Sequence, residues 1–250
     1  MPLFHLSRRN EFPPARLARI DGLLCMGGDL SEDRILLAYK NGIFPWFSRD
    51  EPILWWSPDP RLVLYPEKIR ISRSLKKKIR KNYFTVTMDL AFETVIHECA
   101  RSRTENNEDT WLGREMIQAY SHLHKKGVAH SVETWRNGKL AGGLYGLSLG
   151  KCFFGESMFT RQSDASKTAL AALCVHLRYF NFDLIDCQVT TRHMLSMGAE
   201  EIPRNAFLDQ INQSLAGKTQ KGPWFFQKQA FAEHFQIIQT ADTDSAEGYN

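Results

Sequence analysis

The stretch from Ala129 to Phe159 constrains the fold more than any other part of the chain. Asn137-Gly138 is the strongest short hairpin signal available, because a tight two-residue turn needs residues that accept positive φ. It is flanked by "AHSVETW" and "LAGGLYGLS", and "KCFFGESMF" follows after the turn at Gly150. Three strands in quick succession commit the chain to a sheet. Upstream, "YFTVTM" reads as a strand, Ala91 to Arg101 as a helix and "NNED" as a loop. Trp111 to Lys125 carries Leu112, Met116, Ile117, Tyr120 and Leu123 at helical spacing. Downstream come a helix from Ala165 to Tyr179 behind Asp164 as cap, the strand "FDLIDCQV", a short helix near His193, "EEIPR", and a final helix from Ala206 to Leu215. The order β-α-α-β-β-β-α-β-α-β describes an α+β domain, one mixed sheet covered by helices.

The first sixty residues have a different texture, rich in Pro, Gly and Trp, with one convincing helix. It runs from Glu32 to about Asn41, with Ser31 as N-cap, Glu32 and Asp33 in the first turn and Gly42 placed to end it. Trp46, Trp55 and Trp56 then follow among prolines that forbid long regular structure. Trp55 and Trp56 suit a small core, whereas Trp46, between Pro45 and Phe47 in a loop, suits an exposed platform. The reading divides the chain into a small N-terminal domain over residues 1–62, a larger domain over 63–232, and a tail over 233–250 whose last eight residues are polar and disordered in expectation. No internal repeat is visible.

Charge and cysteine usage narrow the class. Lys68 to Lys81, "KIRISRSLKKKIRK", holds eight basic residues and no acidic one, so the formal charge of +4 leaves −4 on the other 236 residues. A solvated helix face is the plain explanation for a charge run. One this dense is better explained by a polyanion, since each neutralised phosphate releases condensed counterions. The five cysteines are scattered and never in C-x-x-C spacing, which speaks against a disulfide framework and a zinc site. The N-terminus lacks the pattern of a secretion signal and no run of eighteen apolar residues occurs, so the expected setting is the cytoplasm, away from membranes.

The strand "FDLIDCQV" carries the chemistry. Period-two alternation puts Asp186 and Gln188 on one face and Ile185, Cys187 and Val189 on the other. A desolvated carboxylate costs several kcal/mol unless it is hydrogen-bonded or neutralised, so a purely structural pairing with nearby backbone is the alternative to a functional role. The element order is the one associated with acetyltransferase-like (GNAT) folds, which makes coenzyme A the first ligand to consider. The turn that should cradle its pyrophosphate reads "TRQSDASKTAL" and contains no glycine, which disfavours that cofactor. P-loop, dinucleotide, G-x-S-x-G and His/Cys ligand patterns are also missing from the sequence, and His122 and His124 stand on different faces of one helix. No cofactor or metal is therefore expected.

"GIFPWFS", "ILWWSPDPR", "GGLYG", "FGESMF", "SDASKTAL", "LIDCQV" and "GAEEIPR" together resemble the leucyl/phenylalanyl-tRNA–protein transferase family, over about Gly22 to Pro203. The resemblance implies a small N-terminal domain on a GNAT-like catalytic domain. It also implies transfer of leucine or phenylalanine from aminoacyl-tRNA to proteins beginning with arginine or lysine, which marks them for degradation. It assigns catalysis to Asp186 and Gln188, and an aminoacyl pocket to Leu144, Phe153, Met158, Leu170, Leu173, Leu177 and Ile185. Leu173 and Leu177 stand where familiar members carry phenylalanine. Trp46 and Trp111 match stacking partners for the terminal adenosine, and the basic run, with Arg73, Lys76, Lys77, Lys78, Arg80 and Lys81, suits acceptor-stem phosphates.

Physical reasoning agrees with that implication. An aminoacyl ester is already activated, so holding it beside an amine can supply most of the acceleration without nucleotide or metal. Gln188 would accept a hydrogen bond from the attacking amine while its NH₂ donates to Asp186. Glu156 would pair with the acceptor's basic side chain, its alternative being a carboxylate paired internally on the sheet face. The rival readings are a non-catalytic RNA-binding module, a coenzyme A acetyltransferase, and an aminoacyl transferase acting on a cell-wall peptide.

Overall fold

Residues 3–48, 51–105 and 112–236 are described by the computed structural model, with side chains of 103–105 left aside. The loop read at 106–109, Trp111 and the chain from 237 onward lie outside the described residues. The N-terminal part forms a small sheet of β1 (Phe4–Leu6), β2 (Leu23–Gly27), β3 (Phe44–Pro45) and β4 (Leu54–Trp56) in the order β1-β2-β4-β3. Helix α1 (Glu32–Lys40) lies between β2 and β3 and ends as expected at Gly42, whose φ of +70° is the left-handed turn that glycine makes without strain. Ser31 occupies the N-cap position but its side chain forms no capping bond. Trp55 is fully buried and its indole N–H donates to Gly27 O, so it anchors this small core.

The larger unit is built from β5 (Arg61–Leu64), α2 (Arg73–Arg80), β6 (Thr85–Met88), α3 (Phe92–Glu105), α4 (Arg114–Lys125), β7 (Ala129–Arg136), β8 (Lys139–Leu149) and β9 (Cys152–Thr160). It continues through α5 (Ala165–Tyr179), β10 (Leu184–Gln188), α6 (Arg192–Ser196), β11 (Glu200–Ile202), α7 (Arg204–Leu215) and α8 (Lys228–Phe235). Seven strands run in the order β11-β5-β10-β9-β8-β7-β6. The class is α+β as read from the sequence, and the hairpin falls at Asn137-Gly138, both at positive φ. Its pairs are antiparallel except β9 with β10. Two glycines of "GGLYG" are required by close approach. A Cβ on Gly142 would come within 2.7 Å of Ala165 on α5, and one on Gly146 within 2.2 Å of the Phe154 carbonyl.

Three features depart from the sequence reading. Strand β5 was not anticipated; it begins at Arg61, across the boundary placed at residue 62, and slots between β10 and β11. Helix α7 is not the last, because α8 follows and buries Phe231, Ala232 and Phe235 against the core. Asp164 does precede α5, but at φ +75° its carboxylate turns away from the helix amides and pairs with Lys78 at 2.7 Å. Two cores result. One face of the sheet packs on α2, α5 and α8, and the other on α3, α4, α7 and the N-terminal unit.

Candidate active site

The site forms where the one parallel pair comes apart. β9 and β10 pair through Cys152 with Leu184, Phe153 with Ile185 and Phe154 with Asp186, and then separate. Each strand carries a one-residue irregularity at that point. On β9, Gly155 and Ser157 stand opposite consecutive residues of β8, so Glu156 is the extra residue of a bulge. On β10, Asp186 and Gln188 stand opposite the consecutive residues Val63 and Leu62, so Cys187 is extra, and Gln188 takes φ +58°. The bulge on β9 has a direct consequence. Leu144, Gly146 and Ser148 of β8 stand opposite Met158, Gly155 and Phe153, which puts Phe153 and Met158 on one face although they are five residues apart.

That face encloses a cavity of about 290 Å³. Six of the seven expected pocket residues line it: Leu144, Phe153, Met158, Leu170, Leu173 and Ile185. Leu177 does not; it is fully buried in the helix-side core but outside the lining. The volume is near the small end of the range for ligand sites, roughly 300–1,000 Å³, and suits a single amino-acid side chain. Gly155 adds to the space by contributing no side chain. The polar residues of its lining include Glu156, Ser157, Gln188, Thr191 and His193.

Alternation had placed Asp186 beside Gln188 on one face, with the Gln188 amide donating to Asp186. The bulge breaks this arrangement. Asp186 is sealed on the opposite side of the sheet from the cavity, where its two oxygens accept from Arg61 Nε at 2.8 Å and Nη2 at 2.6 Å. Its only link to Gln188 among the described residues is through backbone, Gln188 N donating to Asp186 Oδ1 at 3.0 Å. Gln188 Nε2 instead donates to Glu156 Oε1 at 3.0 Å. Gln188 Oε1 accepts no hydrogen bond from the described residues, so it is available to a substrate.

Glu156 is the most heavily bonded group of this polar lining. Tyr39 Oη is hydrogen-bonded to its Oε1 at 2.6 Å and Tyr120 Oη to its Oε2 at 2.8 Å. Although the carboxyl borders the cavity, its surroundings are apolar and phenolic, and burial pushes its pKa up to about 7. The bonds from Tyr39, Tyr120 and Gln188 hold it from rising further, and the charge of Asp186 pushes it up. Burial, and then the neighbouring carboxyl, also raise both tyrosines well above their usual range. Arg61, Tyr39 and Tyr120 were not singled out from sequence. A buried aspartate implies a cation, and Arg61 stands at the end of "ILWWSPDPR"; helical spacing reads Tyr120 only as an apolar position and says nothing of its hydroxyl.

The remaining expected residues are placed as follows. Trp46 is 42% exposed, held by its carbonyl accepting from Trp56 Nε1 at 2.6 Å. Trp111 lies outside the described residues. In α2, Leu75 and Ile79 are buried and the cations point outward. Lys78 is tied to Asp164 and to Ser163 O, and Arg80 to Phe235 O and Gln236. Arg73, Lys76, Lys77 and Lys81 make no side-chain hydrogen bond or ion pair among the described residues. No metal-ligand cluster is found among the described residues, and no helix there is long and apolar enough to cross a membrane.

Comparison with known proteins gives concordant matches. The family described as leucyl/phenylalanyl-tRNA protein transferase matches residues 63–212, and that family's N-terminal domain matches residues 28–59. A leucyl/phenylalanyl-tRNA–protein transferase of Desulforapulum autotrophicum is 62% identical over 226 residues, 90% of this chain and 99% of that protein. The one from Nitrosomonas europaea is 54% identical over 217 residues, 86% of this chain and 92% of that protein. Among solved structures, an aminoglycoside acetyltransferase from an uncultured soil metagenomic sample gives a TM-score of 0.37 at 11% identity, covering 46% of this chain and 84% of that one. The L-PGS of Bacillus licheniformis gives 0.37 at 9%, covering 67% and 53%.

Proposed function

The chain belongs to the leucyl/phenylalanyl-tRNA–protein transferase family and moves leucine or phenylalanine from tRNA to protein; we propose that its acceptors are proteins beginning with arginine or lysine, marked for degradation in the cytoplasm. The observation that carries the residue-level reading is the cleft itself, an apolar cavity whose mouth bears an unengaged amide oxygen on Gln188 and a carboxyl on Glu156. The leucine or phenylalanine side chain fills the cavity against Leu144, Phe153, Met158, Leu170, Leu173 and Ile185, with Leu177 supporting the wall from behind. The ester carbonyl is thereby held at the mouth.

Transfer is an aminolysis. The acceptor's α-amine attacks the ester carbon, a C–N bond forms, and the bond to the terminal ribose oxygen breaks. The amine loses one proton and the ribose oxygen gains one. A free α-amine has a reference pKa of about 7.7–8.0, so a usable fraction is neutral near pH 7 without a strong base. Gln188 Oε1 accepts from the amine and orients its lone pair, in the role of a positioned dipole. Two bonds hold Gln188 in its unusual φ, one from its amide to Glu156 and one from its N–H to Asp186. Asp186 therefore acts through backbone, with Arg61 fixing it. Glu156 meets the acceptor's cationic side chain.

The donor's remaining parts fit the rest of the surface. Trp46 and Trp111 stack the terminal adenosine, and the outward cations of α2 meet the acceptor stem, Arg73, Lys76, Lys77 and Lys81 directly and Lys78 and Arg80 as supports. Incubation with leucyl-tRNA labelled in the amino acid and a peptide starting with arginine tests the reading. Labelled peptide is the expected product, with none from a peptide starting with aspartate. Retention of the tRNA without any labelled peptide would make this chain an RNA-binding module instead.

A further inference from the structure

The hydroxyls of Tyr39 and Tyr120 and the carboxyl of Glu156 close a triangle. Tyr39 Oη is 2.5 Å from Tyr120 Oη and 2.6 Å from Glu156 Oε1, and Tyr120 Oη is 2.8 Å from Glu156 Oε2. All three separations are hydrogen-bond distances for O–H···O pairs. Each phenol brings one hydrogen and an ionised carboxylate brings none. Two hydrogens cannot bridge three contacts, so one edge would set lone pair against lone pair in a buried place. A third proton removes the conflict. With the carboxyl protonated, the bonds run head to tail around the ring, in either direction, and Gln188 Nε2 still donates to Oε1.

We propose that Glu156, Tyr39 and Tyr120 form a closed ring that holds one shared proton in the free protein and releases it to solvent when a cationic acceptor N-terminus binds. The release half rests on the reading of Glu156 as the acceptor contact. The proton balance is simple: the carboxyl becomes carboxylate, water or buffer takes the proton, and the incoming cation replaces its charge. Tyr39 and Tyr120 are thus positioning residues for Glu156, supplied by α1 and α4 from outside the strand that carries it.

The other ionisable groups around Glu156 do not remove the need for this proton. From β10, Asp186 adds negative charge that favours protonation, and Arg61 of β5 is committed to Asp186 by two bonds. From β8, Tyr145 packs edge-on against Tyr120. From α6, His193 lines the same cavity, and burial lowers its pKa, which favours its neutral form. Helices α3 and α7 cover β9 with buried apolar residues, including Val95, Ile96, Phe207 and Ile211. Helix α5 meets it with Leu170 and Leu173.

Infrared difference spectra of the wild type against Glu156→Gln test the ring without substrate. A protonated-carboxyl band present only in the wild type should vanish with a midpoint near pH 7. Because ionisation breaks the phenol–phenol edge, a tyrosine ultraviolet difference signal should titrate with the same midpoint and be lost in Tyr120→Phe. An ordinary carboxylate midpoint, or a tyrosine signal that ignores the carboxyl titration, overturns the ring. For the release half, an arginine-initial peptide is added in weak buffer about half a unit below the midpoint. With no aminoacyl-tRNA present, so that the transfer itself frees no proton, net release from the wild type on peptide binding and none from Glu156→Gln supports it, and peptide binding without release overturns it. A carboxyl that titrates as stated while the peptide neither binds nor reacts overturns the acceptor reading instead.

Discussion

Replacing Asp186 with asparagine should separate support from chemistry, and its cost can be worked from the contacts. Arg61 and Asp186 are both fully buried and joined by two bonds, of 2.8 and 2.6 Å. Asparagine keeps one acceptor oxygen for Arg61 Nε and Gln188 N. Its NH₂ then faces Arg61 Nη2, donor against donor, and the guanidinium charge is left without its partner. Breaking a buried pair in this way costs about 3–5 kcal/mol. Arg61 keeps its bond to Gly42 O at 3.1 Å and lies over the rings of Phe44 and Phe207 at 4.9 and 4.4 Å. Each such cation–π contact is worth roughly 0.5–2 kcal/mol, which places the expected loss at the low end, about 3 kcal/mol. A domain stable by about 5–15 kcal/mol stays folded after that loss, so kinetics remain measurable. Urea unfolding gives the stability change, and steady-state transfer at low temperature gives kcat and KM. The expected result is a loss of about 3 kcal/mol with a lower kcat and an unchanged KM for aminoacyl-tRNA, since the donor–donor clash with Arg61 shifts the side chain at 186 and loosens its bond to the Gln188 N–H, while the pocket does not change. A destabilisation under about 1 kcal/mol, or a folded variant with full kcat, refutes the claim that Asp186 holds Gln188 through its backbone.

Other outcomes follow from the same geometry. Glu156 binds its proton more tightly folded, with a pKa near 7, than unfolded near 4.5, so stability is full below 4.5 and falls as pH rises to about 7. Relative to Glu156→Gln, the wild type should lose up to about 3 kcal/mol across that window in urea titrations at stepped pH, and less to the extent that the cavity admits water. Alanine at Arg73, Lys76, Lys77 and Lys81 should raise KM for aminoacyl-tRNA and reduce its salt slope by roughly 0.7–0.9 per lost phosphate contact, while sparing a minimal aminoacyl-adenosine donor. Alanine at Lys78 or Arg80 should instead lower the melting temperature. Gly155→Ala should fold normally, because its Cβ meets only Asp186 O at 3.6 Å and Ile185 Cγ2 at 3.7 Å, yet raise KM more for phenylalanyl- than for leucyl-tRNA. Trp46→Ala should weaken both the full and the minimal donor, by about 1–3 kcal/mol in binding.

The fold was legible where local chemistry decides it. Asn137-Gly138 fixes a hairpin by its backbone preference, and Gly42 ends α1 because its left-handed turn suits glycine. Strand β5 escaped because four residues beside a Pro-rich loop have too little period to read, and its strand character comes from β10 and β11 on either side. Helix α8 escaped for a related reason. Phe231 and Phe235 are four apart, but the segment is short and takes its stability from packing on α2 and α5. The pocket wall was named by resemblance, and Leu177, one turn beyond Leu173, shows the limit of carrying residues over without a register.

The pair on β10 failed for a deeper reason. Parity along a strand is reliable only while every residue has a partner, and a bulge is a property of two strands together. Nothing in "LIDCQV" announces that Cys187 will be skipped by β5, just as nothing in "FGESMF" announces that Glu156 will be skipped by β8. The two skips act in concert. Without them, Gln188 would follow Asp186 into the opposite core, and Met158 would leave the face that Phe153 occupies. With them, Gln188 and Glu156 meet across the split between β9 and β10, while Arg61 and its charge stay behind the sheet. That separation matters for a transferase whose proposed acceptor is cationic. A guanidinium in the cleft would repel the incoming amine and compete for Glu156, whereas behind the strand it can only stiffen the backbone that holds Gln188.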